Sequence, residues 1–560
     1  MTASAARRLA VILSLFVVPL VACAQDEGLI QIESDLTRFL QRQHALGALP
    51  WWDAGALPVS AWEAQSLLDS LALRPESLSR TDRALVDGFR GERTAGVLGP
   101  TVAARTPFYH DGLSPVSIRG DGYALTVSAL LNLAAGPAYV NRIGTESEWA
   151  RATLFSRGLR VAGHAGRVYV ETRITENQEL RPEGVITGFQ TAPRLGWTRT
   201  TGSPDPTYDY MLSTGVVGYR GRLFEARAGR DRQRWGFARS ALMISNYATD
   251  YDHIELRWTL GPVSLQSLYA RFLDVQQGSD GLVPQRYGAF HRVAVRPGAG
   301  FELEAFEGVY FGDRNDDGRS GFELAYVVPF QLYRAVERDL GSPDNVMLGG
   351  GLAWRPVPGV RLYAQGLLDE LTAARFFEDA WTNKWGFVTG FQLVDPGIPG
   401  VGRLRDTEVQ VEYGRVRPYV YAHFDSLTAA VHYGDVMGFP AGPNASDLNV
   451  RLAHRPHPDV QLSADLSYTV RGRNADSLNY GADPYVPYTD RVPEPNATLQ
   501  GIRQRQFFAD LRLGVRLLPD VVAGGVLGVA TVDDAERGGS GYVTPQVFLR
   551  WGLAEPSPRY

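Results

Sequence analysis

The sequence predicts an all-β transmembrane barrel of about 18 antiparallel strands, with a small α-helical bundle at its N-terminal side. Three observations carry that prediction. Beyond the N-terminus no run of 18 or more apolar residues occurs, which excludes a helical membrane protein. It does not exclude a barrel, in which only alternate residues face lipid. After Gly120 the apolar residues recur with a period of 2. Short turns then alternate with long polar connections to the end of the chain.

Composition sets the outer bounds. At roughly 150 residues per domain, 560 residues mean several globular domains or one very large β structure. Charged residues are 21% and aromatics 11%, too apolar a balance for a disordered chain. The 60 glycines carry no collagen period. Lys and Arg number 56 against 61 Asp and Glu, so no basic excess points to nucleic acid. Lys384 is the one lysine, and nearly all positive charge is therefore arginine.

Residues 1–24 read as a secretory signal peptide. Arg7 and Arg8 precede the apolar stretch Leu9 to Val21, which ends at small residues. Ala22-Cys23-Ala24 is an A-x-A-like cleavage site, while Leu20-Val21-Ala22-Cys23 also fits a lipobox that would lipidate Cys23. The first is favoured because an embedded barrel needs no added anchor. Loss of Arg7 and Arg8 takes the net charge from −5 to −7. Cys23 is the only cysteine, so a chain from Gln25 has neither disulfide nor thiol chemistry.

Residues 25–120 are expected to form a periplasmic helical region. Leu36, Phe39, Leu40 and Leu46 recur at helical spacing, as do Trp62, Ala64, Leu67, Leu68 and Leu71. A third segment starts at Ser79, a plausible N-cap, with Asp82 as a weaker capping-box partner than Glu. Three helices this short bury little alone and should pack on something larger.

Residues 121–560 are expected to form the barrel with long extracellular loops. Val460, Leu462, Ala464, Leu466, Tyr468 and Val470 share one strand face, against Gln461, Ser463, Asp465, Ser467 and Thr469. Leu511, Leu513 and Val515 oppose Arg512 and Arg516, and Ile254, Leu256 and Trp258 oppose Glu255 and Arg257. An ionisable face on such a strand needs water, so the apolar face must meet lipid or a second sheet. The turns separate these two. Eight short ones lie at His164–Gly166, Arg220-Gly221, Gly261-Pro262, Arg296–Gly298, Arg355–Gly359, Pro396–Gly400, Arg455–Asp459 and Arg516–Asp520. Nine long stretches lie between them, at about 136–150, 176–207, 231–251, 273–286, 312–343, 371–383, 415–447, 471–503 and 532–541. Nine loops and eight turns join eighteen strands. A soluble sandwich has no reason to put every long loop at one end.

Several loop segments resemble the capsule assembly Wzi family of outer-membrane proteins. One is Gly229 to Gly236 followed by Leu242 to Asn246. A second runs through Tyr326 to Pro329, Tyr333-Arg334, Glu337, Asp344-Asn345, Trp354-Arg355 and Leu368 to Glu370. The most distinctive is Glu412 to His423, His432-Tyr433-Gly434 and Gly438 to Leu448. The resemblance implies an eighteen-stranded barrel with a periplasmic helical bundle near its mouth. It also implies a role in holding or assembling polysaccharide at the surface of a bacterial cell. The tail Ala554 to Tyr560, after the aromatic end of the last strand, departs from the usual closing pattern.

Candidate polysaccharide contacts follow from loop chemistry. Sugar rings present apolar C–H faces to aromatics, and acidic sugars offer carboxylates that Arg grips in bidentate fashion. Arg230, Arg232, Arg234 and Trp235 top one strand, with Tyr247 and Tyr251 returning. Arg415, Arg417, Tyr419, Tyr421, His423, His432 and Tyr433 form a second group. The competing reading makes these arginines lumen ion pairs and these aromatics an interface girdle. Asp313, Asn315 and Asp317 match the start of an EF-hand loop, but Leu324 stands where its bidentate Glu belongs. A solvated Asp-rich turn is the better reading, and no metal or other cofactor is expected.

Enzyme signals are thin, since no H-E-x-x-H, G-x-S-x-G or P-loop occurs. The expected function is a lectin-like, non-enzymatic barrel that binds extracellular or capsular polysaccharide and assists capsule assembly or attachment. Its expected partners are outer-membrane lipid and polysaccharide-export machinery, with no nucleic acid, and its expected state is a monomer. A porin-like diffusion channel is the alternative. An outer-membrane lipid or glycan hydrolase using a mid-strand base such as His291 is the weaker one.

Overall fold

The computed structural model describes residues 28–90, 116–141, 144, 146–180, 198–201, 207–274, 283–312, 323–328, 331–340, 344–370, 372–400, 402–518 and 520–554. The signal-peptide segment, Cys23 and the Asp313–Asp317 motif lie outside these residues.

Eighteen long strands form the barrel wall. The first nine are β1 (Tyr123–Asn141), β2 (Glu148–Ala165), β3 (Val168–Leu180), β4 (Thr207–Arg220), β5 (Phe224–Asp231), β6 (Tyr251–Leu260), β7 (Val263–Leu273), β8 (Gln285–Gly298) and β9 (Phe301–Gly312). The others are β10 (Asn345–Val357), β11 (Val360–Glu370), β12 (Lys384–Val394), β13 (Thr407–Val416), β14 (Ala445–His457), β15 (Val460–Arg473), β16 (Ile502–Leu518), β17 (Val521–Asp534) and β18 (Gly538–Trp551). Each pairs antiparallel with the next, and β18 closes on β1 with Trp551 opposite Leu131. Two short strands, Val116–Gly120 and Thr198–Thr201, extend the edges of β1 and β4. Barrel pairing thus begins at Val116, slightly before the sequence suggests.

Seven of the eight short turns fall where the sequence puts them; the connection at Pro396 is longer, running 395–406 with a small hairpin of its own, and all eight lie at one end. Two of the nine expected long connections are short. β1 and β2 continue into the 136–150 stretch, and β17 and β18 into 532–541, leaving only 142–147 and 535–537 as connections. Residues such as Val140, Trp149 and Val532 alternate inward and outward, so the pleat runs on past the point where composition turns polar.

Period 2 sorts the side chains. Ile254, Leu462, Leu511 and Leu513 are exposed on the outer wall, whereas Glu255, Arg257, Ser467 and Thr469 are buried inside. Inward charges are paired, as burial requires. Glu255 meets Arg227 and Arg257, and Arg292 Nε donates to Glu304 at 2.8 Å. Among the described residues no helix is long and apolar enough to cross a membrane.

The helices are α1 (Asp35–Leu46), α2 (Ala61–Ala72) and α3 (Arg80–Phe89). Each starts at a serine whose hydroxyl accepts a first-turn N–H: Ser34 from Thr37, Ser60 from Glu63 and Ser79 from Asp82. Their apolar faces share one core built on Phe39, Leu40, Leu68, Leu71, Leu85 and Val86. The group docks at the short-turn end. Arg42 donates to Asp395 at 2.9 Å, Ser79 to Asp406 at 2.8 Å, and Arg355 to the His44 carbonyl at 2.7 Å.

Between α1 and α2 the chain enters the lumen. Ala56 and Leu57 pair antiparallel with Trp235 and Arg234 of the 232–250 connection, which folds inward from the opposite end. Gly236 N–H also donates to the Gly55 carbonyl at 2.8 Å. Gly236 has φ 110°, and a Cβ there would collide with the Gln365 amide. Gly236→Val should therefore break this pairing without unfolding the wall. Amide exchange at Ala56 and Leu57 should accelerate while the folded barrel's gel mobility is kept, and continued protection of those amides would contradict the arrangement.

Candidate functional site

The 232–250 and 417–444 connections fold into the barrel along β6–β13 and share a core with it. Trp235, Leu242, Met243, Ile244, Val420, Tyr421, Met437 and Phe439 pack on inward side chains such as Phe272, Phe290, Phe306 and Tyr363. Polar clasps fix the register. Leu242 N–H donates to Gln365 at 2.7 Å, Ser245 N–H to the Met437 carbonyl at 2.7 Å, and the Tyr421 hydroxyl to the Leu242 carbonyl at 2.8 Å. The Glu412 carboxylate accepts from Arg239 N–H and from the Tyr363 hydroxyl, both at 2.7 Å.

Three tyrosines in the 417–444 connection have left-handed backbone: Tyr419 at φ 65°, Tyr421 at 72° and Tyr433 at 48°. Such φ values are uncommon for bulky residues and persist where the surroundings over-determine them. Here they do. Tyr419 N–H donates to the Gly481 carbonyl at 3.0 Å and its hydroxyl to the Asn479 carbonyl at 2.9 Å. Asn444, also left-handed and fully buried, donates to the Gly472 and Gln500 carbonyls and accepts from Leu499 N–H.

Most candidate contacts therefore belong to the framework. Trp235, Tyr247, Tyr251, Tyr419 and Tyr421 are buried, as are Arg234, Arg417, His423 and His432. In this arrangement their side chains leave little surface for a polymer. Arg417 donates to the Asn383 carbonyl at 2.8 Å and to that of Asn496 at 2.9 Å, joining three connections. His423 Nδ1 lies 2.6 Å from the Thr428 hydroxyl. Arg415 points to the outer wall beside Phe387. Arg230, Arg232 and Tyr433 keep solvent-facing surface, the two arginines held by Asp252 at 2.6 Å and Asp250 at 2.8 Å.

A second loop-end cluster is absent from the sequence candidates. Arg491 lies over the Trp381 ring at 4.2 Å, and the Tyr488 ring is 4.9 Å from that of Trp381. Glu494 clasps this cluster, accepting from Trp381 N–H at 3.1 Å and from Arg375 in bidentate fashion. Residue types alone do not find it, because the partners are about a hundred positions apart. No group of three or more His, Cys, Asp or Glu able to hold a metal occurs among the described residues.

His432 senses pH. Its Nδ1 accepts from Leu273 N–H at 3.0 Å, which leaves Nε2 as the donor to the Asp250 carbonyl at 3.2 Å. Burial, with Arg230 and Arg286 nearby, pushes its pKa down to about 4. The opened loop binds a proton more readily than the closed one. Closure is thus fully stable above the ordinary histidine pKa of 6.5 and weakens as pH falls toward 4. Amide protection factors in 417–444, taken relative to the intrinsic exchange rate at each pH, should fall by up to about tenfold per pH unit across that window. His432→Phe should flatten this dependence, and an unchanged profile would sink the assignment.

The family described as capsule assembly protein Wzi matches residues 155–534. No curated protein matches the chain. One solved structure is Wzi from Escherichia coli, described as an outer membrane protein involved in group 1 capsule assembly and a carbohydrate-binding β-barrel. It is 11% identical with a TM-score of 0.55, covering 94% of this chain and 100% of that one. Pseudomonas aeruginosa OccK9 (OpdG) is 10% identical with a TM-score of 0.42, covering 76% of this chain and 97% of its own. Acinetobacter baumannii OccAB1 is 9% identical with a TM-score of 0.40, covering 76% and 96%.

Proposed function

This chain belongs to the capsule assembly protein Wzi family, and we propose that it is a non-enzymatic outer-membrane barrel that holds polysaccharide at the cell surface. One observation carries the reading. The 232–250 and 417–444 connections fill the lumen along β6–β13, and the N-terminal segment meets them from the other end. A wall packed this way favours a rigid platform over a conduit. The surface left for a polymer is the loop end. There Arg230, Arg232 and Tyr433 form one patch, and Trp381, Tyr488 and Arg491 form another.

Each patch combines a flat ring with an oriented guanidinium: Asp252 and Asp250 hold Arg230 and Arg232, and Arg491 donates to the Tyr488 carbonyl at 3.1 Å. Rings stack on the apolar faces of pyranoses, and arginine recognises uronic carboxylates. These contacts keep the arginines oriented, so little side-chain freedom is lost when a polymer arrives. The helical group at the short-turn end faces the periplasm in this reading and offers the surface for export machinery.

Removal of the gene should leave polymer synthesis intact and shift polymer from the cell surface into the medium. Purified protein should bind acidic capsular polysaccharide. Trp381→Ala and Arg491→Ala, and separately Arg230→Ala with Arg232→Ala, should each weaken that binding by about 1–2 kcal/mol, or roughly five- to thirtyfold. Equal binding by all variants would move the site elsewhere, and unchanged surface retention without the gene would end the proposal.

A further inference from the structure

One part of the outer wall breaks the apolar rule. Ser267 on β7, His291 on β8 and Glu307 on β9 are cross-strand neighbours in a single row. They share the outward-facing parity of Tyr269, Ala289, Val293, Leu303 and Val309, whereas Leu268, Phe290 and Phe306 point inward. A polar row on a lipid-facing wall is costly unless it is satisfied there.

It is satisfied by a piece of the 313–344 connection that folds down over the outside of the barrel. Helix α4 (Tyr333–Leu340) presents its first turn to the row. The Glu307 carboxylate accepts from the N–H groups of Tyr333 at 2.9 Å and Arg334 at 3.0 Å, a favourable place for negative charge. The Tyr333 hydroxyl lies 2.6 Å from His291 Nε2, with the rings 4.2 Å apart. Tyr326, Tyr333 and Val336 bury themselves on outward Ala289, Val309, Phe311 and Val346.

The rest of the cover mixes exposed apolar side chains with exposed Gln331, Arg334, Arg338 and Asp339. Leu324 is 69% exposed and Leu332 71%, with Val327, Val328 and Leu340 also exposed. The uncovered wall carries Val293, Leu303, Leu348 and Leu352, all exposed. Leu324, Val327, Val328 and Leu332 thus add to the apolar surface that β8–β10 offer to lipid. Arg334, paired with Glu337 at 2.6 Å, and Arg338 supply the charge that helices at a membrane interface carry on their polar face.

We infer that residues 323–328 and 331–340 form an interfacial cover lying in the outer leaflet, with lipid acyl chains against Leu324, Val328 and Leu332. The inference rests on the membrane placement of the barrel and is independent of polysaccharide binding. This long connection leaves the polymer-facing surface and acts as a lateral contact with the membrane.

A nitroxide at Leu332→Cys, in full chain with Cys23→Ala and reconstituted in phospholipid bilayers, tests it. Leu352→Cys on the bare wall and Asp490→Cys at the loop end are the references. The ratio of oxygen to water-soluble nickel-chelate collision at position 332 should equal that at 352 and exceed that at 490 many-fold. A ratio at 332 equal to that at 490, or shielding from both reagents as under a second copy of the chain, would overturn the inference. If the 352 label itself reads as aqueous, the membrane placement fails instead. Tyr333→Phe should loosen the cover and sharpen the nitroxide spectrum at 332, and an unchanged spectrum would show that the His291 contact does not hold it.

Discussion

The structure depends on where its buried charge is cancelled. A wall with lipid outside forces ionisable side chains inward, and the lumen is too confined to leave them in bulk water. Asp53 illustrates the consequence. It lies between α1 and α2 in sequence, yet its carboxylate accepts from both terminal nitrogens of Arg292 on β8, with Arg296 beyond. Burial alone would raise its pKa, but Arg292 and then Arg296 and Arg257 hold it well below the usual carboxylate range. A charge from the N-terminal segment completes a network that the barrel cannot close by itself. Breaking such a pair leaves an uncompensated buried charge, which costs about 3–5 kcal/mol. The helices are therefore fastened through the lumen as well as at the rim.

His44 makes a related point. Its Nε2 is 2.8 Å from Glu302, at ion-pair distance. Burial and the nearby Arg361, Arg355 and Arg296 keep its pKa well below the ordinary histidine value. The contact is then a hydrogen bond from a neutral imidazole. Arg361 stands 3.7 Å from the same carboxylate, and with Arg355 and Arg296 it disfavours a cation at His44. Arginine suits this lumen because its fork can serve two or three acceptors at once, as Arg292 does with Glu304 and Asp53.

After these contacts, the reach of the sequence can be judged residue by residue. The strands between short turns were legible because one face is apolar and the other wet, a pattern that only a pleat produces. The helices were legible from their spacing, and the Ser79 cap from its residue type. The two connections at 142–147 and 535–537 were misjudged as long because polar residues near a strand top resemble loop residues. The candidate site was less legible. Trp235 and Tyr421 have the composition of a glycan platform but the position of a core, and only tertiary contacts separate the two. The Trp381–Arg491 stack and the Ser267–His291–Glu307 row are invisible to local pattern, because register across strands and loops creates them.

Two long connections at the outer end go opposite ways for one reason. Residues 232–250 turn inward because the lumen offers unmet donors and acceptors such as Gln365 and Glu412. Residues 323–328 and 331–340 turn outward because the wall there offers Glu307 and His291. Hydrophobicity does not set the direction, since the segment richer in leucine, with Leu324, Leu332 and Leu340 against Leu242 alone, is the one that leaves these side chains exposed. A misplaced polar group on the wall costs more than a leucine gains by burial. Each connection therefore goes where the wall's polar groups need covering, and its apolar residues take whatever face remains. For the inward segment that face is a core. For the outward one it is the membrane.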